Sequence, residues 1–365
     1  MHYRVFDCWR FAAALLVMAY HFLYYAPVSG EAGIAFLHRL LPLLDMFFMI
    51  SGFLITDRYA GGMTSPADFR RFLQRRVARL YPLHIATLAF FVLIASAVAM
   101  GLIQTTEPAR WDLSLLPFHL LAVHALGTTH VLAFNYVSWS VSAEFFCYLM
   151  FPLIILMARW KGLPGLLLLL GVWLAGLEIA GAQGVFPGGH WTEADTLGAY
   201  RGFADFIAGA IVASLAGGGR ITTRSHGPGI ICLGFAVTSM LLEWNHYLSL
   251  AGFAASMLFT AVAETRRPQS TAWLGPLMPV ARVSFGIYLL HPVMEILFFS
   301  ILWKRMLEPG GHISFYVFWL LPMLATLACA VLSERYFERR AGRLLSGLGA
   351  PRQPDSARMG QGAVR

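Results

Sequence analysis

The chain has 365 residues, of which 58% are hydrophobic and 13% charged, and its formal net charge is +8 at pH 7. This composition is typical of a polytopic membrane protein and excludes a single soluble domain. The positive charges lie in short clusters between apolar runs, as in the loops of membrane proteins, so they do not indicate a nucleic-acid partner. The four cysteines lack metal-ligand or redox spacing, so buried thiols are expected and no metal site is predicted.

Ten apolar windows are long enough to cross about 30 Å of hydrocarbon. In chain order they lie near residues 8–27, 33–55, 80–103, 137–158, 163–182, 200–217, 228–245, 247–264, 277–303 and 314–334. A weaker window near 113–126 is short and polar, and we interpret it as a re-entrant or interfacial piece.

The positive-inside rule gives this set of windows an orientation. With ten crossings and a cytoplasmic N-terminus, the arginine clusters fall on the cytoplasmic side, apart from the pair Lys304 and Arg305. The sequence therefore predicts an all-α, multi-pass protein of the inner (cytoplasmic) membrane with both termini cytoplasmic. The membrane domain is expected over residues 1–340, and the polar stretch 341–365 is expected to be a disordered cytoplasmic tail.

The first window contains two ionisable residues, Arg10 and His21. They are eleven positions apart, which places them on one helix face with a separation of about 16 Å along the axis. A neutral imidazole there suits removal of a proton from a hydroxyl group. The alternative is structural: an arginine that snorkels to headgroups and a histidine bonded to a carbonyl. Their shared face favours a functional role.

Two later windows each carry a carboxylate. Asp45 in the second must be paired, with His21 or an arginine as its partner, and could orient the imidazole. Glu144 in the fourth follows Ser140 by four positions on a polar stripe. In the sixth window Arg201 and Asp205 have ion-pair spacing and are interpreted as a structural bridge.

The ninth window and the loop before the third window add further candidates. In the ninth, Ser284, Tyr288, His291 and Glu295 fall at steps of four, three and four, which aligns them on one face. A hydrogen-bond ladder is the structural alternative, but two ionisable groups among the four favour a lined cavity. The loop contains six arginines; lipid attraction explains such clusters, although Arg75 and Arg79, one turn apart, could also clamp a phosphorylated cofactor.

Five blocks in order resemble the acyltransferase 3 family of integral membrane acyltransferases, over residues 10 to about 338. They are Arg10 to His21, Asp45-Met-Phe-Phe-Met-Ile-Ser-Gly-Phe53, Arg75-Arg-Val-Ala-Arg-Leu-Tyr-Pro82, Trp139-Ser-Val-Ser-Ala-Glu144 and Ser284-Phe-Gly-Ile-Tyr-Leu-Leu-His-Pro292. Tyr336-Phe-Glu338 is similar to a closing block, with Arg340 in place of its proline.

The resemblance implies an O-acyltransferase that takes an acyl group, acetyl by default, from a cytoplasmic acyl-CoA donor. The acceptor would be a hydroxyl of an extracytoplasmic carbohydrate or glycolipid, in contact with membrane lipids. Acyl-CoA would be a co-substrate, and no permanently bound cofactor is expected. The predicted site follows: catalytic His21, Asp45 and Glu144; donor-binding Arg10, Arg75 and Arg79; and a substrate path of Ser140, Ser284, Tyr288 and His291.

Another class of protein is compatible with the same buried polar groups. A transporter or flippase for a lipid-linked glycan would use carboxylates and histidines as a translocation path or proton relay. Inverted repeats would favour that hypothesis, and the sequence has no convincing internal symmetry. A catalytically silent scaffold is disfavoured because so many costly polar residues lie within the spans.

Overall fold

The computed structural model of the protein describes residues 3–27, 30–193, 196–311 and 313–347. Within these ranges every regular element is a helix, and the main ones are α1 (Arg4–Leu23), α2 (Glu31–Arg39), α3 (Asp45–Tyr59), α4 (Pro66–Ala99), α5 (Leu116–Leu120), α6 (Trp139–Lys161), α7 (Leu163–Ala182), α8 (Gly198–Gly217), α9 (Gly227–Leu241), α10 (His246–Arg266), α11 (Met278–Ala281), α12 (Ser284–Met294), α13 (Phe315–Phe318), α14 (Leu320–Leu332) and α15 (Arg339–Gly347). The helix α12 continues as a π-helix over Glu295–Leu307.

The apolar helices correspond to the windows of the sequence. Eight helices of the described chain are long and apolar enough to cross a membrane, and α2 with the segment Leu41–Tyr59 forms a ninth candidate bent by 45°. The fifteen-residue α9 is shorter than a typical span. Each of the ten windows coincides with one of these elements, so the prediction of an all-α polytopic membrane protein is confirmed. The weaker window 113–126 forms only short helical turns, including α5.

The longest helix, α4, begins with a well-formed cap. The side chain of Ser65 accepts a hydrogen bond from the amide of Asp68, and the Asp68 carboxylate accepts one from the amide of Ser65. This capping box, with Pro66 at the first helical position, fixes where the helix starts. The cluster that contains Arg75 and Arg79 therefore lies on the first turns of a helix that continues through the bundle.

The helices α3 and α8 approach each other more closely than side chains allow. A Cβ atom on Gly52 would lie 2.0 Å from the carbonyl oxygen of Phe206, and one on Gly209 would lie 1.9 Å from that of Met49. Glycine at both positions lets the two backbones touch, as small residues do at helix crossings in membranes. This contact holds Asp45, at the start of α3, beside the first turns of α8.

The first residues of the predicted C-terminal tail form a helix in the structure. Residues 341–347 belong to α15, and Gly342 lies against the backbone of α4, where an added Cβ would be 2.8 Å from the carbonyl oxygen of Ala78. The first seven residues of the expected disordered tail are therefore helical, because Gly342 lets α15 pack against α4. Residues 348–365 lie outside the described residues.

Candidate active site

His21 and His291 meet through their ring nitrogens. His21 Nδ1 lies 2.9 Å from His291 Nε2, and the two rings are nearly parallel with centroids 5.1 Å apart. His291 is fully buried, and its Nδ1 has no hydrogen-bond partner among the described residues. The other ring nitrogen of His21, Nε2, also has no partner there. The structure thus joins the last turn of α1 to the middle of α12 through one histidine dyad.

The dyad has a chemically useful tautomer. If His21 Nδ1–H donates to His291 Nε2, the lone pair of His21 Nε2 is free to accept a proton, as a general base requires. The residue that orients His21 is then His291, which the sequence had placed in the substrate path. The arrangement has the form of a catalytic dyad whose orienting member is a second imidazole.

A carboxylate and two tyrosines flank the dyad. The ring of Tyr136 contacts the His21 ring edge-on, with centroids 4.9 Å apart, and its hydroxyl donates to Glu295 Oε2 at 2.7 Å. Tyr25 donates to Glu295 Oε1 at 3.1 Å. The buried Glu295 carboxylate is therefore satisfied by two hydroxyl groups, which fix the Tyr136 ring against His21.

Asp45 belongs to a different cluster from His21. Its Oδ1 accepts hydrogen bonds from Arg201 Nε at 2.7 Å and Nη2 at 2.6 Å, and its Oδ2 lies 3.4 Å from His246 Nε2. Both members of this ion pair are at least 95% buried. The expectation that Asp45 orients or charge-balances His21 is not met, because two nitrogens of the Arg201 guanidinium bind the same oxygen of this buried carboxylate. The expected bridge from Arg201 to Asp205 is accordingly replaced by one from Arg201 to Asp45.

The face of the bundle where α1 begins carries a cavity of about 1420 Å³ that is open to solvent. We call it the arginine basin, and its wall contains four carboxylates and eight arginines: Arg10, Arg58, Arg75, Arg76, Arg79, Arg282, Arg339 and Arg343. All three arginines predicted to bind a donor lie in this wall. An excess of guanidinium groups around a cavity of this size suits a ligand that carries several phosphates.

A second, much smaller cavity of about 80 Å³, which we call the inner chamber, lies deeper in the bundle. It shares Arg10, Arg76 and Arg79 with the basin, so the two are adjoining parts of one path. Ser140 and Tyr288 of the predicted substrate path line it, together with Glu144, whereas the buried residues Ser284 and His291 of that path are in neither wall.

Within the chamber Glu144 is held by hydroxyl groups. Tyr148 donates to Glu144 Oε1 at 2.6 Å, and Ser51 donates to the same oxygen. The carboxylate therefore lies in the same wall as the arginines that the chamber shares with the basin. The residue of this wall that contacts the dyad is Tyr288, whose ring centroid lies 5.9 Å from that of His291. Glu144 thus lines the inner chamber, and among the described residues its hydrogen bonds go to Ser51 and Tyr148 and not to the dyad.

The sequence did not single out several residues of the site. Arg76 lines both cavities with Arg79, its neighbour three positions along α4, and that spacing was available as a signal. Tyr25 and Tyr136 had no sequence signal, because a tyrosine near the end of a span is expected as an interfacial anchor.

Comparison with known proteins finds sequence similarity along most of the chain. The sequence model of the acyltransferase 3 family, described as an acyltransferase domain, matches residues 3–335. The chain is 35% identical over 153 residues to "Acyltransferase MdmB" of Streptomyces mycarofaciens, which covers 40% of this chain and 37% of that protein. It is 32% identical over 130 residues to an uncharacterized protein of Haemophilus influenzae, covering 32% of this chain and 50% of that protein. The chain thus spans half or less of these relatives, and no solved structure matches it significantly.

Proposed function

Because the chain belongs to the acyltransferase 3 family of membrane acyltransferases, we propose that it moves an acyl group from an acyl-CoA donor to a hydroxyl of a carbohydrate or glycolipid acceptor. The observation that carries this proposal is the position of the His21–His291 dyad. It lies beyond the inner chamber from the arginine basin, close to the opposite face of the bundle. Such a site can receive a donor from one side of a membrane and an acceptor from the other.

The donor would bind with its phosphates in the arginine basin. Arg10, Arg75 and Arg79 supply guanidinium groups, which bind phosphate oxygens in pairs of parallel hydrogen bonds. The acyl-bearing arm would extend through the inner chamber, past Glu144 and Tyr288, towards the dyad. By the positive-inside rule the basin faces the cytoplasm, where acyl-CoA is available, and the protein lies in the inner membrane.

At the dyad, His21 Nε2 would remove the proton of the acceptor hydroxyl while the hydroxyl oxygen attacks the thioester carbonyl of the donor. The carbon–sulfur bond then breaks, which leaves the acyl group bonded to the acceptor oxygen as an ester. The proton passes from His21 to the CoA thiolate. His291 positions the imidazole by accepting from Nδ1–H throughout. General-base catalysis of this kind contributes about 10²–10⁴-fold to a rate. The default acyl group is acetyl, so the product would be an O-acetylated glycan.

The test is mass spectrometry of envelope glycans from cells with the wild-type protein, with His21→Ala, and with the gene deleted. Protein amounts in the membrane are matched between the first two. His38→Ala is the control, because His38 is an exposed histidine on α2. We expect one ester mass to be lost from the His21→Ala and deletion strains and kept in the control, and that mass identifies the acyl group.

Two outcomes would contradict the proposal. Esters that persist in the deletion strain, with altered export of the glycan, would identify a transporter or flippase. Esters that are lost in the deletion strain but persist with His21→Ala would remove His21 from the chemistry.

A further inference from the structure

A third cavity opens on the face opposite the arginine basin. It has a volume of about 500 Å³ and is lined by residues 106–110, Val131, Leu132 and Tyr136, all in the segment between α4 and α6. We call it the distal pocket. Its volume lies within the range of small-molecule binding sites. Nothing in the proposed donor path uses it.

The distal pocket touches the dyad through one side chain. The Tyr136 ring forms part of the pocket wall and also contacts the His21 ring edge-on. The hydroxyl of Tyr136 is bound to Glu295, so the ring is held in place and presents its carbon surface to its surroundings. His21 therefore lies between two cavities: Tyr136 connects it to the distal pocket, and His291 with Tyr288 connects it to the inner chamber.

The pocket wall also contains a guanidinium group with unused hydrogen-bonding capacity. Arg110 lies over the rings of Trp111 and Tyr136, at 5.0 and 5.1 Å from their centroids. Its Nη2 is buried and has no hydrogen-bond partner among the described residues. Arg110 as a whole is partly exposed, so the donors on its accessible side can bind an oxygen of a ligand in the pocket.

The chemistry of the wall selects a class of ligand. An aromatic ring and two aliphatic side chains form an apolar surface, while Arg110 and Glu107 add a donor and an acceptor. A sugar ring combines an apolar C–H face with hydroxyl groups at its edge, and matches both parts of this wall. A lipid chain would leave the two charged groups unused, and a polyphosphate would be repelled by Glu107.

We propose that the distal pocket binds the acceptor as a hydroxylated sugar ring, with its C–H face against the apolar wall and Arg110 bonded to its oxygens. This inference rests on the proposed acyl transfer and assigns the acceptor's site within it. Tyr136 is then a positioning residue, because its side chain borders both the bound sugar and His21, so that a hydroxyl group at the edge of the sugar can extend past the ring to His21 Nε2. The same chemistry fits a soluble glycoside or the sugar of a membrane glycolipid.

The experiment uses the full chain in proteoliposomes, with labelled acetyl-CoA as donor. The acceptors are a panel of methyl hexosides in one arm and extracted membrane glycolipids in the other. Two variants alter the pocket: Leu132→Trp fills it, and Arg110→Gln removes the charge. Leu121→Trp is the matched control, since Leu121 is 69% exposed and is not part of the wall.

We expect both pocket variants to raise the KM for the accepted sugar roughly tenfold or more, with the KM for acetyl-CoA unchanged. The unchanged donor KM also shows that the variants are folded. Wild-type activity with the methyl hexosides would identify a soluble acceptor, and activity with the extracted glycolipids would identify a lipid-linked one. If the sugar KM is unchanged in both variants, or if only the donor KM rises, the acceptor site is overturned while acyl transfer stands. If the wild type transfers no acyl group in either arm, the proposed function and this inference both fail.

Discussion

Replacing His291 tests whether a second imidazole orients the first. His291→Leu removes the hydrogen bond of 2.9 Å to His21 Nδ1 while keeping a side chain of similar bulk in a fully buried position. A neutral hydrogen bond contributes about 0.5–1.5 kcal/mol. Since 1.36 kcal/mol in a barrier corresponds to about a tenfold change in rate, kcat should fall by about twofold to tenfold. His21→Ala, which removes the base, should lower it by about 10²–10⁴-fold.

The assay is the initial rate of label transfer from acetyl-CoA into glycans of membrane vesicles, with matched amounts of protein. His291→Gln is the control, because its amide oxygen can still accept from His21 Nδ1–H, and it should retain a rate close to that of the wild type. Adding His291→Leu to His21→Ala should cause no further loss, because residues that act as a unit are not additive. A further loss in the double variant, or a change in the donor KM alone, would refute the orienting role of His291.

Three other changes test the basin, the helix crossing and the buried ion pair. Arg79→Gln should raise the KM for acetyl-CoA about tenfold or more through loss of charged hydrogen bonds, whereas Arg71→Gln, an exposed arginine of the same helix outside the basin, should leave it unchanged. Gly52→Ala should lower stability in detergent by about 1–3 kcal/mol, because its Cβ would lie 2.0 Å from a carbonyl oxygen of α8, and Gly171→Ala, with open space at its Cβ, should not. Asp45→Asn removes the carboxylate that the buried Arg201 binds and should lower the free energy of unfolding by about 3–5 kcal/mol. Thermal unfolding in detergent checks the predictions for Gly52→Ala and Asp45→Asn, and an unchanged unfolding midpoint would contradict the prediction for that variant.

The membrane architecture could be predicted because it depends on local sequence. Each window of apolar residues becomes a helix wherever the backbone must satisfy its own hydrogen bonds within lipid. The same locality placed Arg75 and Arg79 together on α4, and Ser140 and Glu144 together on α6, since neighbours one turn apart share a helix face.

Contacts between distant helices were not accessible in this way. Asp45 is 156 positions from Arg201, and His21 is 270 positions from His291. Apolar periodicity does not tell which helix lies beside which, so the sequence offered Asp45 both His21 and an arginine as partners. The glycine pairing of α3 with α8 decides between them, because it brings Asp45 at the start of α3 to Arg201 on α8.

The backbone contact of α3 with α8 has a mechanical consequence. Two helices that touch through glycine, with an ion pair locked across them, cannot slide past each other without a collision of carbonyl groups. They form a static frame, so any movement that admits one substrate or releases another must occur in other parts of the protein. Cross-links across the α3–α8 frame should therefore leave turnover intact.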